Sequence, residues 1–192
     1  MKICVFGSAN DEILEIYLKE GEKLGEEMAK RGHSLVFGAG KRGMMGIVAK
    51  GVKKYSDDII GVIPKFFKEI GVEIVFPECS EVIYTETMAQ RKTKMEDLVD
   101  AFIITPGGMG TFEEFFEVVT LKQLKRHTKP IVVMNTNNYY DYFIKHFDVA
   151  KKHGFITRDC RELFYVSNDI DDILTYLENY VPKELDIKDL KK

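Results

Sequence analysis

The sequence predicts an α/β protein: a single Rossmann-like, doubly wound domain whose parallel sheet carries helices on both faces. Three observations carry that expectation. Short apolar runs of about five residues, rich in β-branched side chains, recur along the chain. Longer segments with helical spacing separate most of them. Glycine-bearing turns follow several of the apolar runs. Nearly continuous apolar strands alternating with helices mean a sheet buried on both faces, which parallel strands require.

The elements follow in order. "KICVF" (2–6) is the first expected strand and runs into the turn "GSAN". Ile13, Ile16, Tyr17, Leu24 and Met28 then recur at helical spacing. "SLVF" (34–37) leads into "GAGKRG", and "IIGVI" (59–63) into "PKFF". "EIVF" (73–76) reads as the fourth strand. Met95, Leu98 and Val99 mark a helix near residues 86–100. "AFIIT" (101–105) is followed by "PGGMGT", with Thr111 as an expected N-cap and a helix from about Phe112. "PIVVM" (130–134), a helix over 139–153, "LFYV" (163–166) and a helix over 169–180 complete the set. The expected domain is residues 1–180, and 181–192 form a charged tail that begins at a proline.

Bulk properties narrow the function. A chain of 192 residues with 45% hydrophobic and 31% charged residues supports one domain with a full core. A net charge of −3 gives no broad field for nucleic acid, so any anion site is local. Cys4, Cys79 and Cys160 are odd in number and far apart, which suggests reduced thiols and a cytoplasmic protein. The N-terminal apolar run is too short for a signal-peptide core, and no run is long enough to span a bilayer. His33, His127, His146 and His153 lack ligand spacing, so no metal is expected.

The turn "FGAGKRGMMG" places Gly38, Gly40 and Gly43 in a G-x-G-x-x-G pattern after a strand. Asp57 and Asp58 lie about twenty residues on, as a ribose-binding acid should. Both precede the next strand, however, so they belong to the sheet edge opposite a ligand. A mononucleotide fits this turn better than a dinucleotide.

In "PGGMGTFEE", Pro106 ends a strand, and Gly107, Gly108 and Gly110 let a ligand approach the backbone closely. The amides and dipole of the following helix suit a phosphate. Thr111 and Glu114 also fit a capping box, in which Glu114 folds back on the Thr111 amide. Helical spacing does not choose between Glu113 and Glu114 as the group that faces a ligand. Upstream, "ETMAQRKTKM" brings Arg91 and Lys92 to the start of a helix, either as a solvated basic face or as phosphate and base contacts.

Together, "MAQRKTKM" and "PGGMGTFEE" resemble the LONELY GUY family, the cytokinin riboside 5'-monophosphate phosphoribohydrolases. Its pattern is M-x-x-R-K followed by P-G-G-x-G-T-x-x-E, and the similarity extends over about residues 1–180, including "GSAN" and "GAGKRGMMG". The resemblance implies a Rossmann-like nucleosidase that needs no cofactor. It would cleave a purine nucleoside 5'-monophosphate into base and ribose 5-phosphate. It further implies that Arg91 and Glu114 are catalytic, that Gly107, Gly108, Gly110 and Thr111 hold the phosphate, and that Gly7, Ser8, Gly38, Gly40, Gly43, Met88 and Lys92 contact the nucleotide. A homodimer or larger homo-oligomer through the helix after residue 112 is implied as well. That helix is apolar on more than one side. Thr87 and Ala89 depart from the Asp-Met-His of many relatives, and Ala39 replaces a glycine.

Two rivals share these motifs. A carrier of a phosphorylated ligand, such as a molybdenum-cofactor carrier, would use the same turns without chemistry. A pyridoxal-phosphate lysine decarboxylase, a label also attached to this family, would need a Schiff-base lysine. No lysine is singled out by a motif.

Overall fold

Side chains alternate along each strand and thereby divide the chain between two cores. In strand β1 (Lys2–Phe6), Ile3 and Val5 pack on one face, and Cys4 and Phe6 on the other. The computed structural model describes residues 1–69, 71, 74–156 and 160–182. The other strands are β2 (Ser34–Phe37), β3 (Ile59–Pro64), β4 (Glu81–Thr85), β5 (Ala101–Ile104), β6 (Ile131–Met134) and β7 (Tyr165–Ser167). All pairings are parallel, in the order β4-β3-β2-β1-β5-β6-β7.

One core lies under helices α1 (Glu15–Lys30), α2 (Gly43–Lys53) and the helix Ile170–Glu178, through Leu24, Met28, Val48, Val52, Ile173 and Leu177. The other lies under α4 (Met88–Leu98) and α5 (Met109–Gln123), through Met95, Phe115, Val118 and Val119. A short helix α3 (Lys65–Glu69) follows β3. Outside α5 sits α6 (Asp141–Lys152), and Ile170–Glu178 is α7. The doubly wound α/β architecture is therefore the one expected from sequence.

The surplus apolar surface of α5 is partly covered within the chain. Phe143 and Phe147 of α6 and Phe164 pack edge-on against Phe115 at centroid distances of 5.3, 6.5 and 5.2 Å.

Three expectations need correction. The fourth strand is Glu81–Thr85, not "EIVF". Of that run, residue 73 lies outside the described residues, and Val75 makes only an isolated antiparallel bridge to Gly40. Lys41 N donates to Ile74 O and Phe76 N to Ala39 O, both at 2.8 Å, so the run lies across the β2–α2 turn. The last strand begins at Tyr165, after a 3-10 turn at Cys160–Leu163 that takes up the start of "LFYV". Finally, α5 begins at Met109 rather than Phe112, with Gly108 at its N-cap. Most of the expected tail, residues 183–192, lies outside the described residues.

Two small residues set how closely α1 approaches α2. A Cβ on Gly25 would sit 2.1 Å from Val48 O, and one on Gly51 would sit 2.1 Å from Glu22 O. Backbone on backbone cannot yield locally. Gly25→Ala is expected to lower unfolding free energy by about 1–3 kcal/mol, the usual cost of overpacking. Urea denaturation measures it, and a midpoint equal to wild type would contradict the close packing.

Candidate functional site

Because every strand is parallel, all seven carboxyl ends meet at one edge. The chain runs outward from β1 through β2 and β3 to β4, then crosses back through α4 to β5 on the other side of β1, so the edge opens between Phe6 and Ile104. Thr105 ties the two strand ends together: its N donates to Phe6 O at 2.9 Å and its Oγ1 to the same carbonyl at 2.8 Å. Gly7 fits only because it lacks a Cβ, which would lie 2.3 Å from Thr105 Oγ1.

The glycine cup opens α5. The first amides of a helix have no intrahelical partner, and no side chain caps them here. The capping box is absent, because Thr111 lies inside the first turn and not before it. Thr111 is buried, and its Oγ1 occupies the space that a Cβ on Gly107 would need. Added Cβ atoms on Gly108 and Gly110 meet nothing within 4 Å, so that side of the cup is open. Two tyrosines prop the cup from behind: Tyr139 Oη donates to Gly107 O and Tyr140 Oη to Thr105 O, both at 2.7 Å. The sequence reading passed over both. Their signal was the loop "NTNNYY", which follows another strand at the same edge.

Glu114 is one turn into α5 and points toward α4. Its Oε1 lies 3.5 Å from Arg91 Nη1, and the two residues are 7% and 6% exposed. The separation exceeds the 2.7–2.9 Å of a charge-assisted hydrogen bond. Both groups therefore keep bonding capacity for a third party. Burial pushes the Glu114 carboxyl up to about 7, against the pull of Arg91, with Glu113 adding to the rise. Helix α4 fixes the arginine. Thr87 caps the helix by accepting from Gln90 N at 3.1 Å. Thr ranks a little below Asp as an N-cap but makes the same bond, so the Thr87 departure leaves the helix start capped. Arg91 Nε donates to Val62 O at 3.1 Å. Its Nη2 lies where a Cβ on Gly38 would be, 1.8 Å away.

The remaining residues read from the sequence are distributed as follows. Gly38 seats the Arg91 guanidinium. Gly43 opens α2 at φ +58°, packed against the backbone of Ser8 and Asn10. Its amide donates to Asp11 Oδ1 at 2.8 Å, so this helix start is already occupied by a carboxylate of the chain. Ser8 Oγ accepts from Asn10 N at 3.0 Å. Gly40 is buried at the bridge to Val75. Met88 opens α4, half-buried. Lys92 turns away from Arg91 and pairs with Glu113 and Glu117. Asp57 pairs with Lys53 ahead of β3, away from the carboxyl edge.

Known proteins similar to this chain fall into one family and one fold. Residues 45–177 match the family model described as "Possible lysine decarboxylase". The chain is 36% identical over 185 residues to cytokinin riboside 5'-monophosphate phosphoribohydrolase LOG2 of Arabidopsis thaliana, covering 96% of this chain and 86% of that one. It is 38% identical over 183 residues to the LOG enzyme of Oryza sativa subsp. japonica, covering 95% and 74%. Among solved structures, the molybdenum cofactor carrier protein of Chlamydomonas reinhardtii superposes with a TM-score of 0.66 at 22% identity, covering 92% and 95%. The molybdenum cofactor binding protein of Rippkaea orientalis gives 0.67 at 17%, covering 92% and 93%. At such identities these two share the fold.

Seating Arg91 on Gly38 has a measurable consequence. Gly38→Ala is expected to cost about 1–3 kcal/mol by overpacking. In the Arg91→Ala background the same change should cost clearly less, because only the 3.1 Å approach to Met45 Sδ remains. A double-mutant cycle by urea denaturation decides it; equal costs in both backgrounds would refute the contact.

Proposed function

We propose a function on the premise that the chain belongs to the LONELY GUY (LOG) family, which the family match and the identity to the plant enzymes establish. The protein hydrolyses the N-glycosidic bond of a purine nucleoside 5'-monophosphate, of the AMP or cytokinin type, releasing free base and ribose 5-phosphate. The observation that carries this is the buried Arg91–Glu114 pair, set across an open carboxyl edge beside an uncapped helix start.

Each part has a task. The 5'-phosphate sits in the cup of Gly107, Gly108, Gly110 and Thr111, on the first amides of α5. That contact lies away from the reacting bond and supplies binding energy for orientation. Thr111 and Glu114 are separated by about 4.5 Å of helical rise, so anchor and carboxylate share one rigid turn. As the C1'–N9 bond breaks, the ribose becomes cationic and the base gains negative charge. The Glu114 carboxylate stabilises the cation or activates the attacking water. Arg91 orients the substrate and stabilises the departing base.

The lysine decarboxylase label finds no support in the lysines near the cup. Lys92 is ion-paired with two glutamates. Lys122, whose pKa burial lowers to about 8, lies twelve residues along α5 from Gly110, about 18 Å of rise away.

A homodimer belongs to the same reading. Phe116, Tyr142, Val149 and Phe155 expose apolar surface on α5, α6 and the turn that follows. A cytoplasmic location fits the free thiols of Cys4 and Cys79. Among the described residues, no helix is long and apolar enough to cross a membrane. Light scattering is expected to show at least a dimer; a monomer at micromolar concentration would contradict it.

Incubation with a panel of nucleoside 5'-monophosphates, resolving base from ribose 5-phosphate, tests the activity directly. A nucleotide that stays bound and uncleaved would favour a carrier. Glu114→Gln is expected to lower kcat by roughly 10²–10⁴-fold, the range for losing an acid–base group, with nucleotide affinity within a few fold. Arg91→Ala should abolish turnover while circular dichroism stays native; full activity in either variant overturns the assignment. Because the carboxylate is the working form and its pKa is about 7, kcat/KM should rise with pH through that value. A flat profile between pH 5 and 8 would remove Glu114 from the chemistry.

A further inference from the structure

Lys92 follows Arg91 directly, so on a helix its side chain projects about 100° away from the arginine. Its ammonium is largely buried and meets two carboxylates of α5 at once, Glu113 and, at 2.5 Å, Glu117. Those glutamates are four residues apart and share a face of α5, with Glu114 beside them. Three carboxylates thus stand within five residues of one helix. The lysine engages the two that flank the buried one and bolts α4 to α5 at the level of the Arg91–Glu114 gap.

We propose that Lys92 is a positioning residue for the hydrolysis. It neutralises Glu113 and Glu117 so that Glu114 can carry its own negative charge opposite Arg91. The inference rests on the hydrolase reading for its catalytic consequence, but the clamp itself is a property of the ligand-free protein.

The charges around Glu114 bear this out. From α4, Arg91 and Lys92 both favour its ionised form; from its own helix, Glu113 and Glu117 oppose it. Beneath it, on β1, Cys4 is fully buried, and burial keeps its thiol protonated. Beyond Glu117 stands Glu96, which burial first and Glu117 second push up to about 7. Lys129 Nζ donates to the Glu96 carbonyl at 2.5 Å. Burial works against the charge on Lys92 as well, yet Glu113 and Glu117 outweigh it and raise its pKa. Lys92 is therefore the cation placed between the two flanking acids. Removing it would leave their charges without a cation beside the working carboxylate.

The test is the side-chain carboxyl carbon of Glu114, followed by NMR titration of ligand-free protein and identified by its loss in Glu114→Gln. In Lys92→Met the midpoint should move up by about one pH unit, a tenfold change in the protonation equilibrium. In Glu113→Gln/Glu117→Gln, which keeps the lysine, it should move down. In the triple variant Lys92→Met/Glu113→Gln/Glu117→Gln it should return to within about half a unit of the unsubstituted protein. The triple variant carries no unpaired charge at the clamp, so it keeps the question open to measurement if Lys92→Met alone does not fold. The acid limb of kcat/KM should follow the same order, with activity lost in Lys92→Met near neutral pH and regained above pH 8.

A lysine with a merely structural role would lower activity at every pH and would not be rescued by deleting acids. An unmoved midpoint in Lys92→Met, or no return in the triple variant, overturns the proposal. So does a rise in KM with an unchanged acid limb, which would make Lys92 a direct nucleotide contact. Should the unsubstituted protein release no base from any nucleoside monophosphate, the hydrolase reading fails, and the titration still decides the clamp.

Discussion

Parallel pairing is the constraint on which the rest of this structure depends. Each strand must be followed by a crossover before the next can run the same way, so every carboxyl end arrives at one edge. The edge opens where the crossovers change direction, between β1 and β5. Arg91 and Glu114 are 23 residues apart in the chain, on helices that flank β5. They meet because both helices cover the same sheet face. The glycines around them serve as much to admit protein groups as to admit a ligand. Gly7 admits Thr105 and Gly38 admits Arg91; the cup residues Gly108 and Gly110 face open space.

That arrangement carries an electrostatic tension. Arginine and glutamate are nearly removed from water, with a largely buried lysine beside them. Burial penalises the carboxylate, the arginine favours it, and the flanking acids penalise it again. The outcome is a carboxyl pushed up to about 7, which suits the general-base role proposed for it. The 3.5 Å gap is part of the same balance. A tight bidentate pair would be satisfied by itself and would leave nothing for a substrate.

Most of the fold was legible because apolar strands buried on both faces leave a strong compositional trace. Legibility failed at the margins. β4 is an edge strand with a partly exposed face, so "EVIYT" mixes polar and apolar residues and looks weaker than the neighbouring "EIVF". The latter is apolar because it covers the β2–α2 turn, not because it joins the sheet. The start of α5 was placed three residues late because Thr111 resembles a cap and Gly108 does not. In the fold, Thr111 fills the hollow beside Gly107 instead. The glycines of the G-x-G-x-x-G pattern, Gly38, Gly40 and Gly43, each have a structural task in the fold. They seat an arginine, a bridge and an aspartate contact.

The sequence by itself determined the parallel α/β class, the carboxyl-edge position of the glycine turns and the pairing of an M-x-x-R-K segment with a P-G-G-x-G-T-x-x-E segment. Those are matters of periodicity, strand order and residue type, which local chemistry dictates. Only the tertiary structure decided which glutamate faces the arginine without recourse to relatives. It alone showed that Lys92 is engaged by Glu113 and Glu117, and that Tyr139 and Tyr140 hold the cup from behind. The physical reason is common to all three. Helical spacing sets the angle between neighbouring side chains, but which angle points inward depends on how one helix is rotated against another. Packing of the whole core fixes that rotation, and no short stretch of sequence does.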